Sequence, residues 1–263
     1  MLLAFIAFET VVKNRTVVAD STTISNTLFY NCSSEENGGA IYCGNSRINV
    51  FIKKSSFFRC FSCGYGAAIG IGNANFTFLE SASGRQCSMR FNGNSPYGSF
   101  GIFWADSEIR KISVSECAPN IEASIGLHFQ GGNPLLHCCN FTKNWNEYGW
   151  RSLVYFYTSC VNRRVISSVF MNNSSPRILA LDGVTNYSIF INNNCSRIGD
   201  GTFYHCCFYG SQAPSATTLC VSDKIVYMTD YSTCEFSEMS LEFTGQKEPK
   251  MSLLVLLLMF GLL

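Results

Sequence analysis

The stretch Phe29–Ile41, FYNCSSEENGGAI, returns at Phe57–Ile69 as FFRCFSCGYGAAI, 28 residues further along. Phe29, Tyr30 and Cys32 correspond to Phe57, Phe58 and Cys60, and Gly38-Gly39-Ala40-Ile41 to Gly66-Ala67-Ala68-Ile69. Further on, Gly44-Asn45 corresponds to Gly72-Asn73, and the alternating Ile48 and Val50 to Phe76 and Phe78. A fixed period of this length marks a repeat architecture. Within each unit the apolar residues come in short period-2 runs broken by Gly, Asn or Ser, as in a chain that makes short strands and returns one layer higher. One coil cannot bury its inward face alone. Stacking supplies the burial, so equivalent residues should form ladders, with Phe29 on Phe57 and Ile41 on Ile69 about 4.8 Å apart between strands. At Gly38-Gly39 the absence of Cβ permits a sharp turn.

Past Cys87 the strict register gives way to a simpler signature, F-x-x-N: Phe91 with Asn94, Phe141 with Asn144, Phe170 with Asn173, and Phe190 with Asn193. The spacings of 50, 29 and 20 residues fit two coils, one coil and one shorter coil. Phe enters the core as its strand ends. Asn is expected to take the left-handed conformation of the following turn and to hydrogen-bond its neighbour in the next coil. This predicts an all-β chain, a parallel β-helix over residues 16–235, with a weak signal peptide or first strand at 1–15, a polar spacer at 236–250 and an apolar tail at 251–263.

GGAI at Gly38 to Ile41, together with the four F-x-x-N tetrapeptides, resembles the repeat pair of the polymorphic membrane proteins of chlamydiae. It is similar too to pectin-lyase-like β-helix surface proteins of protists such as trichomonads, over roughly residues 25 to 210. The resemblance implies a right-handed parallel β-helix exposed at a surface and often associated with adhesion. The chain departs from the bacterial pattern in having one intact GGAI and no long C-terminal region of alternating strands for an outer-membrane barrel. Its cysteines, glycosylation sequons and apolar tail match the protist version better.

Composition narrows the classes. With 47% apolar and 14% charged residues the chain is not disordered as a whole, and a net charge of +1 gives no electrostatic case for nucleic acid. Fourteen cysteines favour an oxidising compartment. Asn14, Asn31, Asn75, Asn140, Asn172, Asn173, Asn186 and Asn194 each begin an N-x-S/T sequon, which points the same way. Leu2 to Phe8 has the length of a minimal signal core, without a preceding Lys or Arg. Met251 to Leu263 is uniformly apolar but reaches only about 20 Å as a helix, against a hydrocarbon core of about 30 Å. It reads as a lipid-anchor signal or a truncated transmembrane helix. The expected location is therefore the cell surface, by membrane anchoring, or the extracellular space.

Few residues carry a chemical signature. Cys60-x-x-Cys63 has no second pair to complete a zinc site, and no metal site or cofactor is assigned. His137-Cys138-Cys139 and His205-Cys206-Cys207 read as equivalent positions of two coils, forming a ladder or disulfides. Asp106, Glu108 and Arg110 share one strand face, which a polysaccharide lyase or glycoside hydrolase could use, but a solvated face with ion-paired neighbours explains them equally well. His128 lacks the flanking pattern of a pectinase site, and no catalytic residue is assigned. A degenerate carbohydrate-active enzyme is the alternative to a non-enzymatic binding or structural protein.

The candidate ligand-binding segment is Trp145, Asn146, Glu147, Tyr148, Trp150 and Arg151. Placed in a turn before the strand-like Leu153 to Tyr157, its rings could stack on sugars while its polar groups bond hydroxyls. The rival reading has the same rings capping the core at a corner. The partner expected is a glycan or protein on a host or cell surface, with membrane association through the tail.

Overall fold

The computed structural model describes residues 21–44, 48–89, 100–102, 105–117, 126–146, 152–180 and 183–211. It also gives the backbone of an antiparallel pair, Val226–Asp230 with Glu235–Glu238. The described coils form a parallel β-solenoid. The first sheet has eight strands, Ser21–Ser25, Asn49–Lys53, Phe76–Glu80, Asp106–Arg110, Pro134–His137, Arg164–Ile166, Val184–Asn186 and Thr202–Tyr204. The second has eight, Leu28–Tyr30, Ser56–Phe58, Ser83–Arg85, Ser113–Ser115, Asn140–Thr142, Val169–Met171, Ile189–Ile191 and Cys207–Tyr209. The third has six, Ile41–Cys43, Ile69–Ile71, Phe100–Ile102, Leu127–Phe129, Ser152–Phe156 and Arg177–Ala180. Successive coils add one strand to each sheet in register, so the backbone groups of one coil bond to the next.

The two pairings expected from the repeat are present: Phe29 pairs with Phe57 and Ile41 with Ile69. The Phe29 and Phe57 rings stack at 4.9 Å between centroids, and Phe141, Phe170, Phe190 and Phe208 form a second run at 4.9 to 5.1 Å. Between these runs the same column holds Gly84 and Val114. The Phe100 ring, reaching from the third sheet, fills the space at Gly84, where a Cβ would come within 2.5 Å of it. The column is continuous although the aromatic signature is not.

Two corners repeat around every coil, each made by one residue with φ near +50°. Between the first and second sheets these are Asn26, Lys54, Ser81, Lys111, Cys138, Ser167, Tyr187 and His205; after the second sheet they are Asn31, Arg59, Gln86, Glu116, Lys143, Asn172, Asn192 and Gly210. A single left-handed residue bends the chain sharply and turns the next side chain inward.

The structure corrects three sequence expectations. In F-x-x-N the left-handed residue is the third, Lys143, Asn172 or Asn192, while Asn144, Asn173 and Asn193 are buried just after it. The two H-C-C triplets are one residue out of step, because Cys138 and His205 hold the corner and Cys139 and Cys206 are the equivalent inward residues. Val50 and Ile52 pair with Thr77 and Leu79, so Phe76 and Phe78 face outward instead of matching Ile48 and Val50. The second coil has one residue fewer between Ile69 and Thr77 than the first has between Ile41 and Val50, and a one-residue shift exchanges the faces of a strand. Phe91 and Asn94 lie outside the described residues; the ladder position of their coil belongs to Gly84 and Cys87.

Candidate functional site

The residues that follow the second corner form one column through the described coils: Cys32, Cys60, Cys87, Cys117, Asn144, Asn173, Asn193 and Ser211. The asparagines bond along the column. Asn173 Nδ2 donates to Asn193 Oδ1 at 2.9 Å and to Phe141 O at 2.9 Å, and its Oδ1 accepts from Asn144 N at 3.1 Å and Nδ2 at 3.0 Å. Carboxamides suit this role because each is both donor and acceptor. Hydrogen bonding between coils, expected from F-x-x-N, is thus provided by buried side chains. That F-x-x-C at Phe29 and Phe57 is the same motif was recoverable from the 28-residue repeat but not from F-x-x-N alone.

The next residue in each of three coils turns outward, and Trp145, Ser174 and Asn194 lie side by side through isolated parallel bridges. Trp145 is 42% exposed, held by its backbone N–H on Cys117 O at 3.1 Å. Beside it opens a groove of about 360 Å³ lined by Trp145, Asn146, Ser174, Ser175, Pro176, Asn194, Cys195 and Ser196. Asn194 Nδ2 donates to Ser174 Oγ at 3.4 Å, and Ser196 Oγ to Pro176 O at 2.7 Å. Among the described residues the lining carries one ring, a proline, amides and hydroxyls, with no carboxylate, imidazole or ammonium; its one ionisable group among them is the Cys195 thiol, which burial pushes up.

Of the residues expected to bind, Trp145 therefore borders a groove. Asn146 is buried, with its N–H bonded to Ser174 O at 2.7 Å, and it lines the same groove. Glu147, Tyr148, Trp150 and Arg151 lie outside the described residues. Ser174, Asn194 and Ser196 were not anticipated as groove residues: they come from coils 20 and more residues away and carry no local signature.

The other chemical candidates have structural partners. Arg110 is ion-paired with Glu108, and Asp106 Oδ1 accepts from Asn133 N at 2.9 Å and Nδ2 at 2.8 Å. His128 is buried and stacks on Tyr155 at 4.9 Å. Cys60 points into the core while Cys63 Sγ meets Glu35 Oε2 at 3.6 Å, so this C-x-x-C does not converge. Among the described residues no three His, Cys, Asp or Glu side chains gather in a group able to hold a metal ion. Asn31, Asn75, Asn172 and Asn194 are exposed sequon residues, whereas Asn140 and Asn173 are buried and closed to a glycan in the folded protein. Compared with protein-family models, with curated proteins and with solved structures, the chain matches none.

Proposed function

We propose that this β-solenoid is a non-enzymatic protein of the cell surface or the extracellular space, of the pectin-lyase-like surface type, that binds an uncharged glycan in the groove beside Trp145. The observation that carries this reading is the composition of the groove: an exposed indole next to hydroxyl and amide groups supplied by successive coils. An indole face stacks on the apolar face of a sugar ring, and hydroxyls and carboxamides exchange hydrogen bonds with its hydroxyls. With no cation among the described residues of the lining, an acidic polysaccharide would find no counter-charge from them.

The fourteen cysteines and the exposed sequons support an oxidising, extracytoplasmic setting, in which a rigid stack of coils presents its corners to a partner. Trp145→Ala tests the groove. Binding to a panel of neutral glycans is expected to weaken roughly 3- to 10-fold on the scale of aromatic contacts, while the melting temperature stays close to that of the parent because the ring is exposed. Unchanged binding with intact folding would remove the groove as the site.

A further inference from the structure

The groove beside Trp145 carries a modification signal in its own wall. Asn194-Cys195-Ser196 is an N-x-S sequon, and all three residues line the groove. Asn194 and Ser196 are exposed, while Cys195 between them is half-buried with its Sγ on Asn193 O at 3.9 Å. The other exposed sequon asparagines of the described coils stand elsewhere. Asn31 and Asn172 are themselves left-handed corner residues, and Asn75 directly precedes the strand Phe76–Glu80.

The direction of the Asn194 side chain adds to its exposure. Nδ2, the atom that carries the sugar in an N-linked glycan, points along the row of outward residues: it donates to Ser174 Oγ at 3.4 Å, and Ser174 is bridged in turn to Trp145. A glycosylated carboxamide keeps one N–H, so the bond to Ser174 survives attachment and holds this direction. From Ser174 to Trp145 is one coil, about 4.8 Å, a step that a single pyranose ring covers. A sugar on Nδ2 thus lies over Ser174 and sets its apolar face against an indole that is 42% exposed.

We infer that Asn194 is N-glycosylated and that the first sugar of its glycan seats on Trp145, covering the groove. The inference rests on the reading of the groove as a sugar site and adds its regulation: the occupied form is closed to an external glycan, the unoccupied form open. In the attachment step Nδ2 bonds to the anomeric carbon of an oligosaccharide carried on a lipid pyrophosphate. The anomeric C–O bond breaks, the lipid pyrophosphate leaves with the electron pair, and Nδ2 gives up one proton.

The test compares full-length protein from a eukaryotic secretory host with Asn194→Gln from the same host, in which the other sequons are intact. Enzymatic deglycosylation in heavy-oxygen water turns a glycosylated asparagine into labelled aspartate, and the peptide containing Asn194 is expected to carry the label. An unlabelled residue 194 overturns the inference. Hydroxyl-radical footprinting should then oxidise Trp145 severalfold faster in Asn194→Gln than in the parent, with the circular dichroism spectrum unchanged. Equal rates show a glycan standing away from the indole and overturn the seat. If Asn194→Gln does not fold, Ser196→Ala, which removes the sequon and keeps Asn194, gives the same reading. Binding to the neutral glycan panel tells the two readings apart. Unglycosylated chain from a bacterial periplasm is expected to bind, and the glycosylated chain severalfold more weakly. Equal binding by both forms keeps the groove as a receptor and overturns its closure. Binding by neither form fails the external-ligand reading alone, and the Trp145 footprint still decides the seat.

Discussion

The coils from Cys32 to Cys117 and those from Asn144 to Asn193 build the same corner with different atoms. In both halves the side chain after the left-handed residue donates to the same backbone position one coil earlier. Cys60, Cys87 and Cys117 reach Phe29 O, Phe57 O and Gly84 O at 3.5 to 3.9 Å through sulfur; Asn144, Asn173 and Asn193 reach Val114 O, Phe141 O and Phe170 O at 2.8 to 2.9 Å through Nδ2. The carboxamide does more, because its Oδ1 also accepts from the coil before it. Even Cys117, at the boundary, uses its neighbour's carboxamide, its N–H bonding to Asn144 Oδ1 at 3.1 Å. The comparison teaches that the backbone needs a small inward donor at this corner, and that only asparagine converts the column into a continuous chain of hydrogen bonds. The thiols are a set of weak donors in apolar surroundings.

Their ionisation follows from that setting. Hydrogen bonding with Cys60 and burial push Cys32 up, and hydrogen bonds with Cys117 and Cys60, with burial, do the same to Cys87. Cys60 is pulled down relative to them because it receives hydrogen bonds from Cys32 and Cys87 on either side.

The largest expected effect comes from putting a thiol into the asparagine half. Asn173→Cys removes two donated bonds and the acceptor for Asn144, all buried, and should cost about 3 kcal/mol. The shift of the urea midpoint measures it, and an unchanged midpoint would mean that the two ladders are energetically equivalent.

A smaller effect comes from pH, at the thiols that follow the first corner, Cys139 and Cys206, where carboxamides would not titrate. Burial pushes Cys139 and Cys206 each up to about 12, whereas an unfolded thiol ionises near ~8.5. The folded state holds its protons longer, so their contribution is complete below the unfolded value and is lost as pH rises toward 12. Each should cost about 1 kcal/mol between roughly pH 8 and 9.5, read as a falling melting temperature in the reduced protein. Replacing both by Ala should flatten that slope; a slope unaltered by the replacement would show that these thiols are not the source.

The smallest effect sharpens the comparison from the other side. Cys117→Asn extends the asparagine column by one coil, with Asn144 Oδ1 already in place for the residue 117 N–H and Gly84 O placed to receive its amide. Stability should change by no more than about 1 kcal/mol in denaturant melts. A loss as large as that of Asn173→Cys would show that the thiol corner cannot take a carboxamide.

Much of this fold was legible in the chain. Phe29 with Phe57 and Ile41 with Ile69 are adjacent-coil pairs because a solenoid turns a sequence period into a spatial neighbour, and the 29- and 20-residue steps from Phe141 to Phe190 are successive coils for the same reason. Trp145 was singled out with Tyr148 and Trp150 as part of a turn; the structure sets Trp145 in a parallel bridge to Ser174 beside the groove, while Tyr148 and Trp150 lie outside the described residues. Reading failed wherever one residue decided the outcome. Phe76 and Phe78 matched Ile48 and Val50 by type, yet a turn shorter by one residue sent them outward. The H-C-C triplets matched by letters, yet the left-handed corner falls on Cys138 in one and His205 in the other.

That this chain coils, that phenylalanines dominate its inward column, and that a cysteine or an asparagine recurs three residues after each, all follow from periodic burial and show as spacing. Which residue of each corner is left-handed, which outward residues are buried, and which side chains meet at the groove emerge only once the coils stack. Corner geometry depends on a single φ angle that several residue types adopt. Trp145, Ser174 and Asn194 are neighbours solely because coils of unequal length stack in register.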